Sequence, residues 1–155
     1  MKIVKFELLE ELSKNLKSQN KSIVLTNGCF DILHLGHLRY LKKAKELGDI
    51  LIVALNSDSS IKKLKGDLRP INNENDRAEM LSYIDFINYI TIFDELTANN
   101  IIDILKPNIY VKGGDYNIEN LPEKEILLKN NVDIVFLPFL SGYSTTNIIN
   151  KISNN

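Results

Sequence analysis

SIVLTNGCFDILHLGHLRYLKKAKELGDILIVAL, residues 22–55, holds two apolar runs separated by a glycine-bearing polar turn and a stretch of helical periodicity. Ser22 to Thr26 is short, apolar and β-branched, and Ile50 to Leu55 is apolar throughout; runs of this kind are buried strands. Between them Leu38, Leu41, Ala44 and Leu47 recur on one face of a helix over 36–47, which Gly48-Asp49 ends. Strand, helix and strand in this order make a parallel crossover unit.

The pattern continues on both sides. Upstream, Phe6, Leu9, Leu12 and Leu16 predict an amphipathic helix over 5–18. Downstream, Asn56 to Asn73 is polar and predicts a loop with at most a short helix. Helices are then expected over 75–84, 97–105 and 122–130, strands over Ile87–Phe93, Ile109–Val111 and Asp133–Leu137, and a last helix opening at Ser144. The expected fold is α/β: a Rossmann-like parallel five-stranded sheet with helices on both faces. One domain should span 1–155, with a helical extension over 1–20 on a core over 21–152. Ligands in such folds lie beyond the carboxyl ends of the strands. Polar residues stand at those points, after Thr26, Leu55, Val111 and Leu137.

Composition narrows the function. A formal net charge of -1 gives no sign of a nucleic-acid or membrane partner, so an anionic ligand needs a local cluster of donors. The single cysteine, Cys29, permits no intrachain disulfide and no cysteine-based zinc site. No stretch has the length of a transmembrane helix. Met1 to Glu11 carries acidic residues and lacks the long apolar run of a signal peptide, and a reducing cytoplasm is the expected location.

The chemistry concentrates in Asn27 to His37. The chain has 2 histidines, and both lie here, with Gly36 between them, directly after the first strand. Their spacing puts both imidazoles on one side of a helix start. Gly36 has no side chain to block a phosphate from the backbone. The helix N-terminus adds unpaired N–H groups and a positive dipole end. Such convergence suits the α-phosphate of a nucleotide in its crowded, more negative transition state.

This segment resembles the His-x-Gly-His signature of the cytidylyltransferase-like nucleotidyltransferases. Ser144-Thr145-Thr146 resembles their second signature, Ser-Thr-Thr at the start of the last helix. A closer similarity is to the adenylyltransferases of ADP-heptose synthesis, which act on D-glycero-β-D-manno-heptose 1-phosphate. It rests on Thr26 to His34, Asn56-Ser57-Asp58, Leu64 to Asp67 with Arg69-Pro70, Val111 to Tyr116, and Ser144 to Ile149, and covers roughly residues 20–152.

The resemblance implies a role for each matching residue. His34 and His37 would stabilise the transition state. Lys65 would neutralise phosphates, with Lys62 and Lys63 as competitors. Asn27, Gly28, Phe30, Asp31, Gly36 and Arg77 would serve the nucleotide, with Arg77 reaching its phosphates. Ser144, Thr145 and Thr146 would grip the triphosphate. Asp58, Lys112 and Asp115 would face the sugar phosphate or ribose. No thiol nucleophile is needed, so Cys29 packs near the site.

The implied reaction joins AMP from ATP to a heptose 1-phosphate, without a general base and without a protein-built metal site. Mg2+ is expected on the triphosphate. A separate sugar-kinase protein is the expected pathway partner, and a homo-oligomer, a dimer, the expected assembly. Glycerol-3-phosphate cytidylyltransferase shares both signatures. That family usually has an arginine where this chain has Phe139, and Gly-Asp-Asp-Trp where it has Gly113-Gly114-Asp115-Tyr116. A non-catalytic nucleotide-binding module is the alternative of another class.

Overall fold

The structure, a computed structural model, describes residues 2–138 and 142–153. Phe139 therefore lies outside the described residues. Five parallel strands, β1 (Ile23–Gly28), β2 (Ile50–Asn56), β3 (Tyr89–Phe93), β4 (Ile109–Gly113) and β5 (Asp133–Leu137), form one sheet in the order β3-β2-β1-β4-β5. Among the described residues seven α-helices accompany them: α1 (Leu9–Ser18), α2 (Leu35–Lys45), α3 (Asp58–Lys65), α4 (Glu74–Ser82), α5 (Asn99–Leu105), α6 (Lys124–Lys129) and α7 (Thr145–Ser153).

Side-chain alternation along the strands divides the core. Ile23, Leu25, Ile52, Ala54 and Tyr110 turn toward α1, α5 and α6; Val24, Leu51, Val53, Leu55 and Val111 turn toward α2 and α4. Helices thus cover both faces, which is why β1 and β2 read as unbroken apolar runs. The strand order reverses beside β1, which pairs with β2 on one side and β4 on the other. A crevice opens at such a reversal.

Most boundaries move by a few residues from the sequence reading, and two stretches show why. The polar stretch after β2 contains α3, which spans 8 residues. Ser57 caps it by accepting from the Ser60 N–H at 3.2 Å, Asp58 stands in its first turn, and Lys62, Lys63 and Lys65 stand in its last. Each charge complements the dipole end beside it. Strand β3 starts later than Ile87, because the Ile87 N–H closes a turn onto the Ile84 carbonyl at 3.1 Å. Ile87 is still fully buried, so its apolarity reports burial rather than pairing.

The N-terminal segment joins the main core. Val4 donates to Ile90 at 2.8 Å and Ile90 to Lys2 at 2.9 Å, extending the sheet edge at β3. Leu9 and Leu16 of α1 are buried against α5. Ser13 and Lys17 donate to the Leu105 carbonyl at 2.6 and 3.0 Å, which satisfies the last turn of α5. Among the described residues no helix is long and apolar enough to cross a membrane.

Candidate active site

A cleft of about 540 Å³ opens at the carboxyl ends of β1 and β4. The β1–α2 turn forms its floor, with Lys65 and Arg69 on the β2 side. Lys112, Tyr116 and Glu123 line the β4 side, and Tyr143 to Thr146 close it at the start of α7.

His34 is the N-cap of α2, in extended backbone with φ -143° and ψ 168°. Its Nδ1 accepts from the His37 N–H at 3.4 Å. In the neutral ring this puts the proton on Nε2. The two imidazoles stack, with centroids 3.8 Å apart and an interplanar angle of 19°. His37 Nδ1 is buried and has no partner among the described residues. Burial pushes the His37 pKa down to about 4, helped by repulsion from His34 and Lys65. Burial lowers His34 as well. At neutral pH both rings are uncharged donors, which can strengthen their hold as negative charge develops on a bound group.

Two glycines are there for space. A Cβ on Gly36 would lie 3.0 Å from the His34 ring and from the Tyr143 Cβ. A Cβ on Gly28 would lie 2.9 Å from the Phe30 ring. Phe30 is held at φ 44°, with its ring edge-on to His37 at 5.3 Å. It is 5% exposed, so it wedges His37 from below.

Three residues expected on ligands are committed to the protein. Arg77 is fully buried and is absent from the cleft lining. Its guanidinium donates to the carbonyls of Asn72 (2.9 Å), Cys29 (2.6 Å) and Asn56 (2.9 Å) and to Asp58 Oδ1 (2.7 Å). It staples the ends of β1 and β2 to α4, and in this arrangement it does not face the cleft where phosphates are expected. Asp58 is likewise taken by Arg77 and does not line the cleft. Asp31 touches the cleft, but its buried carboxylate accepts from Arg69 Nε (2.7 Å) and from the Ile71 (2.9 Å) and Asn72 (2.9 Å) N–H groups. Those donors hold its pKa below the usual carboxylate value against the opposing effect of burial, which is the largest single influence. Asp31 anchors the segment after α3.

The β4 side carries a polar network. The Tyr110 hydroxyl donates to Asn27 Oδ1 at 2.7 Å, and Lys112 Nζ donates to the same oxygen at 3.2 Å. With two donors on Oδ1, the Asn27 amide nitrogen is left for the cleft. Lys112 also reaches the Tyr110 oxygen (3.3 Å) and Glu123 Oε1 (3.3 Å). Its three N–H groups therefore all have acceptors. Burial, with the Glu123 charge next, raises the Tyr110 pKa and keeps it a phenol. Asp115 is exposed and outside the cleft lining, whereas Lys112 lines it. Lys65 lines the cleft, whereas Lys62 and Lys63 do not.

At the start of α7, Ser144 Oγ accepts from the Asn147 N–H at 3.0 Å and Thr145 Oγ1 donates to the Ile32 carbonyl at 3.4 Å. The Ser-Thr-Thr turn thus caps its helix and docks it on the β1–α2 turn. Sequence reasoning missed Glu123, Tyr143 and Tyr40 as cleft residues. Glu123 sits in the charged run Pro122-Glu123-Lys124-Glu125 and looks solvated there, yet it is 2% exposed. Tyr143, just before Ser144, had no local signal.

Residues 25–151 match the family model described as Cytidylyltransferase-like. The chain belongs to the cytidylyltransferase-like family. Among relatives, it is 50% identical over 147 residues to the bifunctional protein HldE of Nitratiruptor sp., covering 95% of this chain and 31% of that protein. It is 50% identical over 144 residues to HldE of Campylobacter fetus, covering 93% and 30%. The chain spans about a third of the length of these curated relatives. Among solved structures, the lipopolysaccharide core biosynthesis protein of Thermoplasma volcanium superposes with a TM-score of 0.63 at 31% identity, covering 80% of this chain and 99% of that one. Pantoate-beta-alanine ligase of Francisella tularensis, complexed with beta-gamma ATP and beta-alanine, has a TM-score of 0.62 at 19% identity, covering 100% and 78%, and attests to the fold alone. The cytidylyltransferase-like match takes in both histidines and Ser144 to Thr146, residues that lie far apart in sequence and line one cleft.

Proposed function

We propose that the chain transfers AMP from ATP to a heptose 1-phosphate, giving ADP-heptose and pyrophosphate. The observation that carries the transfer is the pair of uncharged, stacked imidazoles at the N-terminus of α2, beside the N-terminus of α7. The heptose and adenine assignments rest on the sequence resemblance and on the relation to bifunctional HldE proteins, of which this chain corresponds to about a third.

A sugar-phosphate oxygen attacks the α-phosphorus of ATP, the new P–O bond forms, the bond to the β-phosphate oxygen breaks, and pyrophosphate leaves in line. A phosphate monoester has a second pKa near ~6, so the nucleophile is already mostly dianionic at neutral pH. No base has to remove a proton. His34 and His37 bind the α-phosphate through ring N–H groups, Asn27 offers its amide nitrogen, and the Ser144–Thr146 turn holds the triphosphate. Catalysis is then positioning and charge neutralisation.

The carboxylates of the described cleft lining are Asp31 and Glu123, and protein donors engage both. This donor set does not suit a resident divalent ion. Mg2+ enters the proposal as the counter-ion of ATP, held by phosphates and water, and no step is assigned to it. We place the reaction in the cytoplasm, in a homodimer, with a sugar kinase activity as the source of the acceptor.

The test is a comparison of kcat/KM for ATP with heptose 1-phosphate against CTP with glycerol 3-phosphate. A preference of at least about 100-fold for the first pair is expected, because polar groups set for sugar hydroxyls are left unpaired by a smaller substrate. Equal values or the reverse order would overturn the heptose assignment. No pyrophosphate release with any pair would favour the non-catalytic module.

A further inference from the structure

Arg69 was given no role of its own by its place in the sequence, yet it is set firmly beside the cleft. Its Nε donates to Asp31 Oδ2 at 2.7 Å, and that carboxylate is fully buried. Two backbone N–H groups, from Ile71 and Asn72, hold the same carboxylate from the other direction. The Arg69 side chain is 12% exposed and lines the cleft. Its two terminal nitrogens have no acceptor among the described residues, and neither is a fully enclosed orphan. A guanidinium fixed through Nε presents its other edge as a planar fork, which fits two oxygens of one phosphate.

The topology says which phosphate. The start of α7 follows β5 and reaches the β1–α2 turn through Thr145 and Tyr143. Arg69 and Lys65 come from the segment after β2, on the opposite flank of β1. Lys65 is near enough to His37 to disfavour its charge, and the charges of Lys65 and Arg69 both reach the Cys29 thiol, opposing the rise that its burial causes. In-line displacement requires the attacking and leaving oxygens on opposite sides of the α-phosphorus. With the triphosphate on the α7 side, the acceptor enters from the β2 side.

We propose that Arg69, latched by Asp31, is the guanidinium that binds the phosphate of the acceptor substrate, with Lys65 as its companion cation. The assignment rests on the transfer reaction proposed above for its meaning, and on the Asp31 latch and the open fork for its geometry. Asp31 is a positioning residue here: it aims Arg69 and does not itself touch substrate.

Two variants and two readouts test it. At saturating ATP, Arg69→Gln should raise the KM for sugar 1-phosphate at least about tenfold, the size expected for losing a charge-assisted contact. The KM for ATP should stay within about twofold. Arg69→Lys keeps a cation but loses the fork, and should fall between the two. An unchanged acceptor KM, or a larger effect on ATP than on the acceptor, would overturn the proposal. The second readout needs no turnover: titration of inorganic phosphate into parent and Arg69→Gln proteins, each saturated with α,β-methylene ATP and checked for an equal melting temperature. Weaker phosphate binding by the variant supports the site; equal affinity, or no binding by either protein, sinks it. If the parent turns over no sugar phosphate, the transfer reading fails while this titration still decides on Arg69. If Arg69→Gln melts early, Arg69→Lys is titrated in its place and judged by the same outcomes.

Discussion

The N-terminal turns of α2 and α4 both abut strand ends beside one cleft, and both carry residues that the sequence directs to phosphates. In α2, His37 keeps a buried Nδ1 with no partner, and His34 is left with an Nε2–H. In α4, Arg77 gives its guanidinium to four acceptors, all within the protein. A polar group already satisfied by the fold gains little from a ligand, and its loss is felt by the fold. An unsatisfied buried group costs stability in the empty protein, and a ring that lines the cleft without being tied to the fold is free to serve a ligand. Frame and chemistry are therefore distinguishable by hydrogen-bond accounting, even where the residue types suggest otherwise.

The sharpest way to break this contrast is Arg77→Met. It would leave the carbonyls of Cys29, Asn56 and Asn72 short of a donor and Asp58 without its partner. A loss of about 3–5 kcal/mol in unfolding free energy is expected, measured by urea denaturation. Arg77→Lys should recover little, since an ammonium cannot serve four acceptors spread around a planar group. A variant as stable as the parent but weak in ATP binding would return Arg77 to the phosphates.

The opposite signature belongs to α2. His34→Ala and His37→Ala should each lower kcat by at least ~100-fold, on the scale of removing one oxyanion donor, with smaller changes in KM for ATP. The melting temperature of His37→Ala should hold or rise, because it removes a buried nitrogen that has no partner, whereas His34→Ala also gives up the cap of α2 and should melt slightly earlier. A full-rate His37→Ala protein would end the proposed mechanism.

Legibility in the sequence followed the same division. The parallel sheet was readable because β1 and β2 are covered on both faces, so their apolar runs are unbroken. The histidine turn was readable because its chemistry is local: cap, glycine and both rings fall within four residues. The pairing of Arg77 with Asp58 was not readable, because nothing in either segment shows that they lie 2.7 Å apart. Glu123 was overlooked for a related reason, its burial depending on the approach of β4 and the Ala98 turn. Arg69 was visible as a letter in a motif, but its latch to Asp31 crosses 38 residues of chain.

The smallest effect is also the finest test of the comparison, and it lies in proton binding. His37 has a pKa of about 4 in the folded protein against 6.5 for an ordinary histidine. Between those values the unfolded chain binds a proton that the folded chain does not. Stability is therefore complete above 6.5 and declines as pH falls toward 4. One such group contributes a slope of at most about 1.4 kcal/mol per pH unit. His34 adds a contribution of the same sign. Asp31, held below its usual 3.8, keeps its contribution through this window and loses it only at lower pH. His37→Gln should flatten the decline seen in urea titrations across the window, whereas variants in the α4 turn should shift the whole curve without changing its slope. Bound ATP sharpens the distinction. A triphosphate against the imidazoles favours their charged form, so the His37 pKa followed by nitrogen NMR should rise on adding ATP. A His37 pKa that ignores ATP would mean that the unsatisfied group of α2 is no closer to the nucleotide than the satisfied one of α4.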